Sequence, residues 1–368
     1  MWRLRMTIFT LFVLFGQSAA ILLGRLYYNK GGKSKWTATL VQVAGFPILI
    51  PYYCISPPKN PTTNSIHRNE PSTIILALIY VSLGVFQAVN SMMSSIGLLH
   101  LPVSTFSLIC ASQLTFNAFF SFLLNSQKFT PFIINSLVLL NISSALLVFQ
   151  TNSTNPTRNS NVMYEIGLFC TVVASAGYGL MLSLTQLSFQ KVLRRETFTV
   201  ILELIIYQSL FATCATLVGL FASGEWKGLN REMEDFELGK FLYVNTLIWT
   251  AIDWQIFTIG AVGLILEVSS LFSNVISVLG FAFIPVLAVI FFHDEMDGVK
   301  VISMVLAIWG FISYFYQHYL DDSECKAENR DVKEISMLPL LKEVTDEKDG
   351  IKNIYLKVPL STEKDIQT

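Results

Sequence analysis

The stretch TIILALIYVSLGVFQAVNSMMSSIGLL, residues 73–99, carries no charged residue. As a helix it is long enough to cross a hydrocarbon core about 30 Å thick, which takes roughly 20 apolar residues. Working outward, comparable blocks fill the chain. Met6–Leu26 and Trp36–Tyr53 precede it; Leu101–Leu124, Phe132–Phe149, Val162–Phe189, Phe198–Ala222, Phe241–Gly263, Val268–Phe292 and Val299–Tyr316 follow. Ten consecutive blocks of spanning length predict an all-α polytopic membrane protein with ten transmembrane helices.

Composition agrees. The chain is 52% hydrophobic and 14% charged, with mean hydropathy +0.54, against roughly 25% charged residues in an average soluble domain. A net charge of −1 argues against nucleic acid as a partner, and the apolar blocks make the lipid bilayer the expected one. The five cysteines (Cys54, Cys110, Cys170, Cys214, Cys325) are scattered, so neither a disulfide framework nor a metal site is indicated. Gly32-Lys33-Ser34 resembles the end of a phosphate-binding loop, but Tyr27 stands where the required glycine belongs. With no nucleophile, metal site or cofactor motif, an enzyme is not expected, and no cofactor is implied.

The chain also repeats itself in hydropathy and breakpoints. Ile96-Gly97-Leu98, through Ser104-Thr105-Phe106-Ser107 and on to Phe149, parallels Ile259-Gly260-Ala261, through Ser269-Ser270-Leu271-Phe272 and on to Tyr314. Residues 1–160 and 161–320 would each hold five spans. An odd number forces the second half to enter from the opposite face, giving two inverted five-helix repeats with a substrate site near the midplane. Lys and Arg are nearly balanced between the two faces until Lys326, Arg330 and Lys333 behind the last block tip the count. Both termini are therefore expected in the cytosol. The sequon Asn152-Ser153-Thr154 then falls outside. Residues 321–368, charged and poor in apolar side chains, are expected to be a disordered cytosolic tail.

Polar residues inside the blocks mark a cavity or a helix contact, because a polar side chain in hydrocarbon is costly. Gln87, Asn90 and Ser94 form one stripe, Gln113 and Asn117 another, and Glu267, Ser270, Asn274 and Ser277 a third, read as the start of the ninth span. Gln17 stands on the first span, Tyr178 and Gln186 on nearly one face of the sixth, and Trp249 and Trp254 on the eighth. Amides offer paired donors and acceptors to ring nitrogens, and Tyr or Trp offers a stacking face. Gln17, Asn90, Gln113, Asn117, Tyr178, Trp254, Ser270 and Asn274 are therefore the candidate substrate-binding residues; interhelical hydrogen bonding is the competing reading of each amide. Glu203 and Glu267 are the candidates for carrying a coupled proton, with Asp253 a further membrane acid. Glu267 read as a helix-end charge is the alternative.

Longer motifs carry a family resemblance. Gly24-Arg25-Leu26-Tyr27-Tyr28, Leu101-Pro102-Val103-Ser104-Thr105 followed by Gln113 and Asn117, and Gly224-Glu225-Trp226 occur in order. So do Glu267-Val268-Ser269-Ser270-Leu271-Phe272-Ser273-Asn274 and Phe292-His293-Asp294. From about Trp2 to Asp322 the chain resembles the plant purine permease family of the drug/metabolite transporter superfamily. That resemblance implies a ten-helix inverted repeat in the plasma membrane, with proton-coupled uptake of small neutral purines such as adenine and cytokinins. A nucleotide-sugar or phosphate-ester exchanger of the same superfamily would want Lys or Arg in mid-span, and none is there. A membrane sensor that binds without transporting is the alternative from another class.

Overall fold

The first apolar block is helical from end to end in the computed structural model, which describes residues 2–55, 73–126, 131, 134–139, 142–143, 158–193, 198–294, 296–313 and 316. Among these residues every regular element is a helix. α1 (Trp2–Asn29) is followed by α2 (Lys35–Val43), whose start is fixed by Ser34: its hydroxyl accepts from Thr37 N–H at 3.0 Å. Pro47 then supplies no backbone donor, so the second block breaks into a 3-10 turn (Phe46–Leu49) before α3 (Ile50–Ile55). The block that opened the sequence reading is unbroken as α4 (Thr73–His100).

Pro102 ends that run, and α5 (Val103–Cys110) and α6 (Gln113–Asn125) together make the fourth block. Their junction tightens: Ser112 N–H donates to Ile109 O and Thr115 N–H to Ser112 O, both at 3.0 Å. Then come α7 (Arg158–Ser188) with a π turn over Phe189–Leu193, α8 (Phe198–Ser223), a 3-10 turn (Glu225–Gly228) and α9 (Leu229–Asp235). α10 (Lys240–Glu267), α11 (Ser270–Phe292) and the shorter α12 (Gly298–Ser313) complete the described chain. The tail expected over 321–368 and the sequon at Asn152 lie outside the described residues.

Among the described residues, eight stretches are long and apolar enough to cross a membrane, against ten expected over the whole chain. The two others are the fifth and tenth blocks. α12, with 16 residues, reaches only about 24 Å at 1.5 Å per residue. Within Phe132–Phe149, the described helical residues are 134–139 and 142–143. Large apolar side chains such as Phe15, Phe169, Val218 and Phe241 point outward, as they do on a bundle whose solvent is lipid. Small residues bring helices together inside it. A Cβ at Gly16 would lie 2.7 Å from Phe257 N, and one at Gly260 2.7 Å from Phe9 O, so α1 and α10 lie almost backbone to backbone.

Glu267 requires a correction. It is the last residue of α10, and the next helix starts only after Ser269, whose hydroxyl accepts from Phe272 N–H at 3.1 Å. Its carboxylate sits at a helix C-terminus, which disfavours negative charge. Arg5 Nε lies 3.3 Å from it in compensation. The stripe on α11 is Ser270, Asn274 and Ser277 without Glu267.

Candidate functional site

The middles of the helices surround a cavity. Gln17 lies near the midpoint of α1, Gln87 and Asn90 of α4, Gln208 of α8 and Trp254 of α10, and all five line it. Gln113 contributes from the tightened α5–α6 junction and Tyr178 from α7. Among the described residues, the lining has no Asp, Glu, Lys, Arg or His. Tyr178 stacks on Phe257 with ring centroids 6.2 Å apart and planes at 30°. Trp254 meets Phe257 edge-on at 5.5 Å and 82°. The aromatic surface is thus a connected cluster, with partners fixed by geometry rather than by charge. Trp254 also lines a smaller adjoining pocket with Gly24, Tyr27, Tyr28 and Thr250, which extends toward the end of α1.

The structure divides the residues singled out in sequence. Gln17, Asn90, Gln113, Tyr178 and Trp254 meet at the cavity, whereas Asn117, Ser270 and Asn274 are not among its lining residues. Those three are fully buried between α6 and α11 and bonded to protein. Gln113 Nε2 donates to Asn274 Oδ1 at 2.6 Å and to Ser277 Oγ at 3.0 Å, and Asn274 Nδ2 returns a bond to Gln113 O at 3.1 Å. Asn117 Nδ2 donates to Ser270 O at 3.0 Å, while Ser183 Oγ donates to Asn117 Oδ1 at 2.8 Å. Ser270 N–H is taken by Gln186 Oε1 at 2.8 Å. Gln113 belongs to both groups.

Six amide or hydroxyl lining residues, Gln42, Ser91, Ser175, Thr185, Gln208 and Thr258, were not singled out in sequence. Gln208 was the most discoverable: it is a solitary amide in a charge-free run from Leu204 to Ser223. Gln208 Nε2 donates to Gln87 Oε1 at 2.6 Å. Gln42 Nε2 donates to Ser95 Oγ at 2.8 Å. The acids stand elsewhere. Glu203, partly buried on α8, lies within electrostatic reach of Tyr53 and Tyr80, and Tyr80 stacks on Tyr207 at 5.4 Å. Asp253 does not line the cavity.

The bundle end where α1 finishes is bridged by side-chain hydrogen bonds. Buried Glu232 of α9 accepts from Tyr27 Oη at 2.5 Å, Ser34 N at 3.0 Å and Tyr243 Oη at 3.1 Å. Glu225 accepts from Ser34 Oγ at 2.7 Å and Trp36 N at 3.3 Å. Arg25 does not simply reach for the interface; its Nη1 donates at 3.0 Å to both Leu98 O and Leu101 O, capping the end of α4. No cluster of His, Cys, Asp and Glu able to hold a metal occurs among the described residues.

Against known proteins, residues 4–324 match the family described as purine nucleobase transmembrane transport. Purine permease 21 of Arabidopsis thaliana is 57% identical over 89% of this chain and 83% of its own length. The probable purine permease 10 of the same plant is 56% identical over 88% and 83%, and its probable purine permease 6 is 52% identical over 94% and 89%. A protein solved by crystallography superposes with a TM-score of 0.50 at 13% identity, covering 84% of this chain and 97% of that one, a likeness of fold alone. These relatives are permeases, not enzymes. With its apolar helices and its uncharged central cavity, the chain is a multi-pass membrane protein that belongs to the purine nucleobase transmembrane transport family, the purine permeases.

Proposed function

We propose that this permease is a proton-coupled uptake carrier for small neutral purines, with adenine and N-substituted purines such as cytokinins as its substrates. The observation that carries this reading is the cavity at the helix midpoints, lined by amides and stacked aromatics and free of charged side chains. A flat heterocycle needs stacking faces and donor–acceptor pairs. A phosphate ester or nucleotide sugar would need a guanidinium or ammonium in the wall, so an exchanger of such anions is disfavoured. A sensor that binds without flux would share the cavity but leave no accumulated substrate.

For architecture we infer ten spans in two inverted repeats, 1–160 and 161–320. Counting α12 and the helical residues near 134–143 as spans, α1 with α10 is the pair of spans one and eight. α4 with α7 is the pair of spans three and six. Exchanging the halves turns one pair into the other, and both pack intimately. Spans five and ten meet reciprocally: Ser143 Oγ donates to Ser303 O at 2.8 Å and Ser303 Oγ to Ser143 O at 3.0 Å. The Lys and Arg distribution supports both termini in the cytosol, and the plasma membrane is the location that fits an uptake carrier. Of the coupling candidates, Glu203 is favoured over Glu267, because Glu267 is engaged by Arg5. The test is uptake of radiolabelled adenine in a yeast strain lacking its own adenine uptake, with a pH series and a protonophore. Saturable uptake that rises with external acidity and collapses with the protonophore is expected; indifference to both removes proton coupling, and no uptake of any purine removes the carrier reading.

A further inference from the structure

We propose that Gln87 and Gln208 form a specificity-determining amide edge, reading an acceptor and a donor that stand side by side on the substrate ring. The inference rests on the carrier reading above and names the feature of the purine that the cavity selects. Gln87 sits at the middle of α4 and Gln208 near the middle of α8. One turn before Gln87 is Gly84, where a Cβ would lie 2.7 Å from Gln208 O and 2.7 Å from Phe211 Cβ. Only a residue without a side chain lets the two helices approach so closely, and the approach brings the two carboxamides together.

Each carboxamide has two N–H donors and one oxygen acceptor. The bond from Gln208 Nε2 to Gln87 Oε1 at 2.6 Å uses one donor and one acceptor site. Gln208 Nε2 otherwise meets only the soft sulfur of Met181, at 3.9 Å. Both N–H groups of Gln87 and the oxygen of Gln208 are left without a protein partner among the described residues, and both side chains line the cavity. At this depth no lipid group can take such a bond, so the cavity's occupant supplies the partner. Reversing the internal bond would leave the same pattern outward, one amino group beside one oxygen. The edge therefore fits a ring nitrogen next to an exocyclic amine, or a ring N–H next to a carbonyl. It does not fit a ring whose edge offers an acceptor alone.

The experiment compares adenine with 6-methylpurine, which replaces the amine by a methyl group of similar size and keeps the neighbouring ring nitrogen. Each competes against labelled adenine uptake in yeast expressing the full chain, normalised to surface protein. The unaltered protein is expected to prefer adenine by about tenfold or more. In Gln87→Leu and Gln208→Leu the inhibition constant for adenine should rise about tenfold while that for 6-methylpurine moves less than about twofold. Discrimination then collapses toward one. A helix-packing role would alter both compounds alike. If one variant fails to reach the membrane, the other carries the comparison, and ligand-induced thermal stabilisation of the purified protein gives the same ratio. An undiminished preference for adenine in the variants overturns the proposal while leaving the carrier reading intact; absence of purine uptake and binding by the unaltered protein overturns both.

Discussion

Two clusters of amides meet at Gln113, and they differ in what their polar atoms do. Between α6 and α11, Gln113, Asn117 and Asn274 spend their groups on one another and on Ser270, Ser277 and Ser183. Around the cavity, Gln17 accepts a single bond from Ser277, Gln87 and Gln208 share one, and Asn90 lines the space beside them. Apart from Gln113 and Ser277, which also line the cavity, the first cluster is closed on itself; the second is open to the cavity. Residue type does not distinguish them. What differs is whether a neighbouring helix brings a complementary group within about 3 Å.

The strongest way to break this contrast is to open the closed cluster. Asn117→Leu leaves Ser270 O and Ser183 Oγ without that partner in a fully buried site. Stranded buried groups cost about 1–3 kcal/mol each, although interhelical bonds in membranes average less. A loss of roughly 2–4 kcal/mol is expected, read as a lower thermal midpoint and less protein at the surface. Purine affinity of the surviving molecules should be unchanged. Lowered affinity at normal stability would return Asn117 to the substrate site.

The open cluster is sharpened through its aromatic side. Trp254 lines both the cavity and the adjoining pocket and packs edge-on against Phe257. Stacking of a base on an aromatic ring is worth about 1–3 kcal/mol. Trp254→Ala should raise the adenine inhibition constant by that amount, roughly 5- to 150-fold, and Trp254→Phe should recover most of it. Equal affinity in both variants would leave the amides as the sole recognition elements.

Legibility in the sequence follows the same division. Spanning length and charge depletion are local properties, so the helices α1, α4, α8, α10 and α11 were readable almost to their ends. The break in the second block was written in Pro47, but the tightening at Ser112 has no breaker residue and arises from packing. The amide at Gln113 could be found, yet its bond to Asn274, 161 residues away, could not. Gln208, a lone amide as Gln17 is, was passed over; its approach to Gln87, 121 residues away, is what gives it meaning. Glu267 was misplaced because Ser269, two positions later, is the cap that starts α11.

The smallest expected effect concerns Glu267, a closed group of a different kind. Its carboxylate at the end of α10 opposes the helix dipole and is held by Arg5 at 3.3 Å, with the Arg5 side chain 56% exposed and that of Glu267 12% exposed. An ion pair open to solvent on one side is worth about 0–1 kcal/mol and weakens with salt. Glu267→Gln and Arg5→Ala should each lower stability by no more than that, and the double change should cost little beyond either single one. Accumulation driven by external acidity, measured per surface molecule, should persist in Glu267→Gln. Glu203→Gln, in contrast, should lose accumulation while counterflow exchange of adenine continues, because the binding cavity is untouched and only the proton's site is removed. The reverse pattern, with accumulation lost in Glu267→Gln and kept in Glu203→Gln, would make Glu267 the proton carrier and its bond to Arg5 a contact that opens once in each transport cycle.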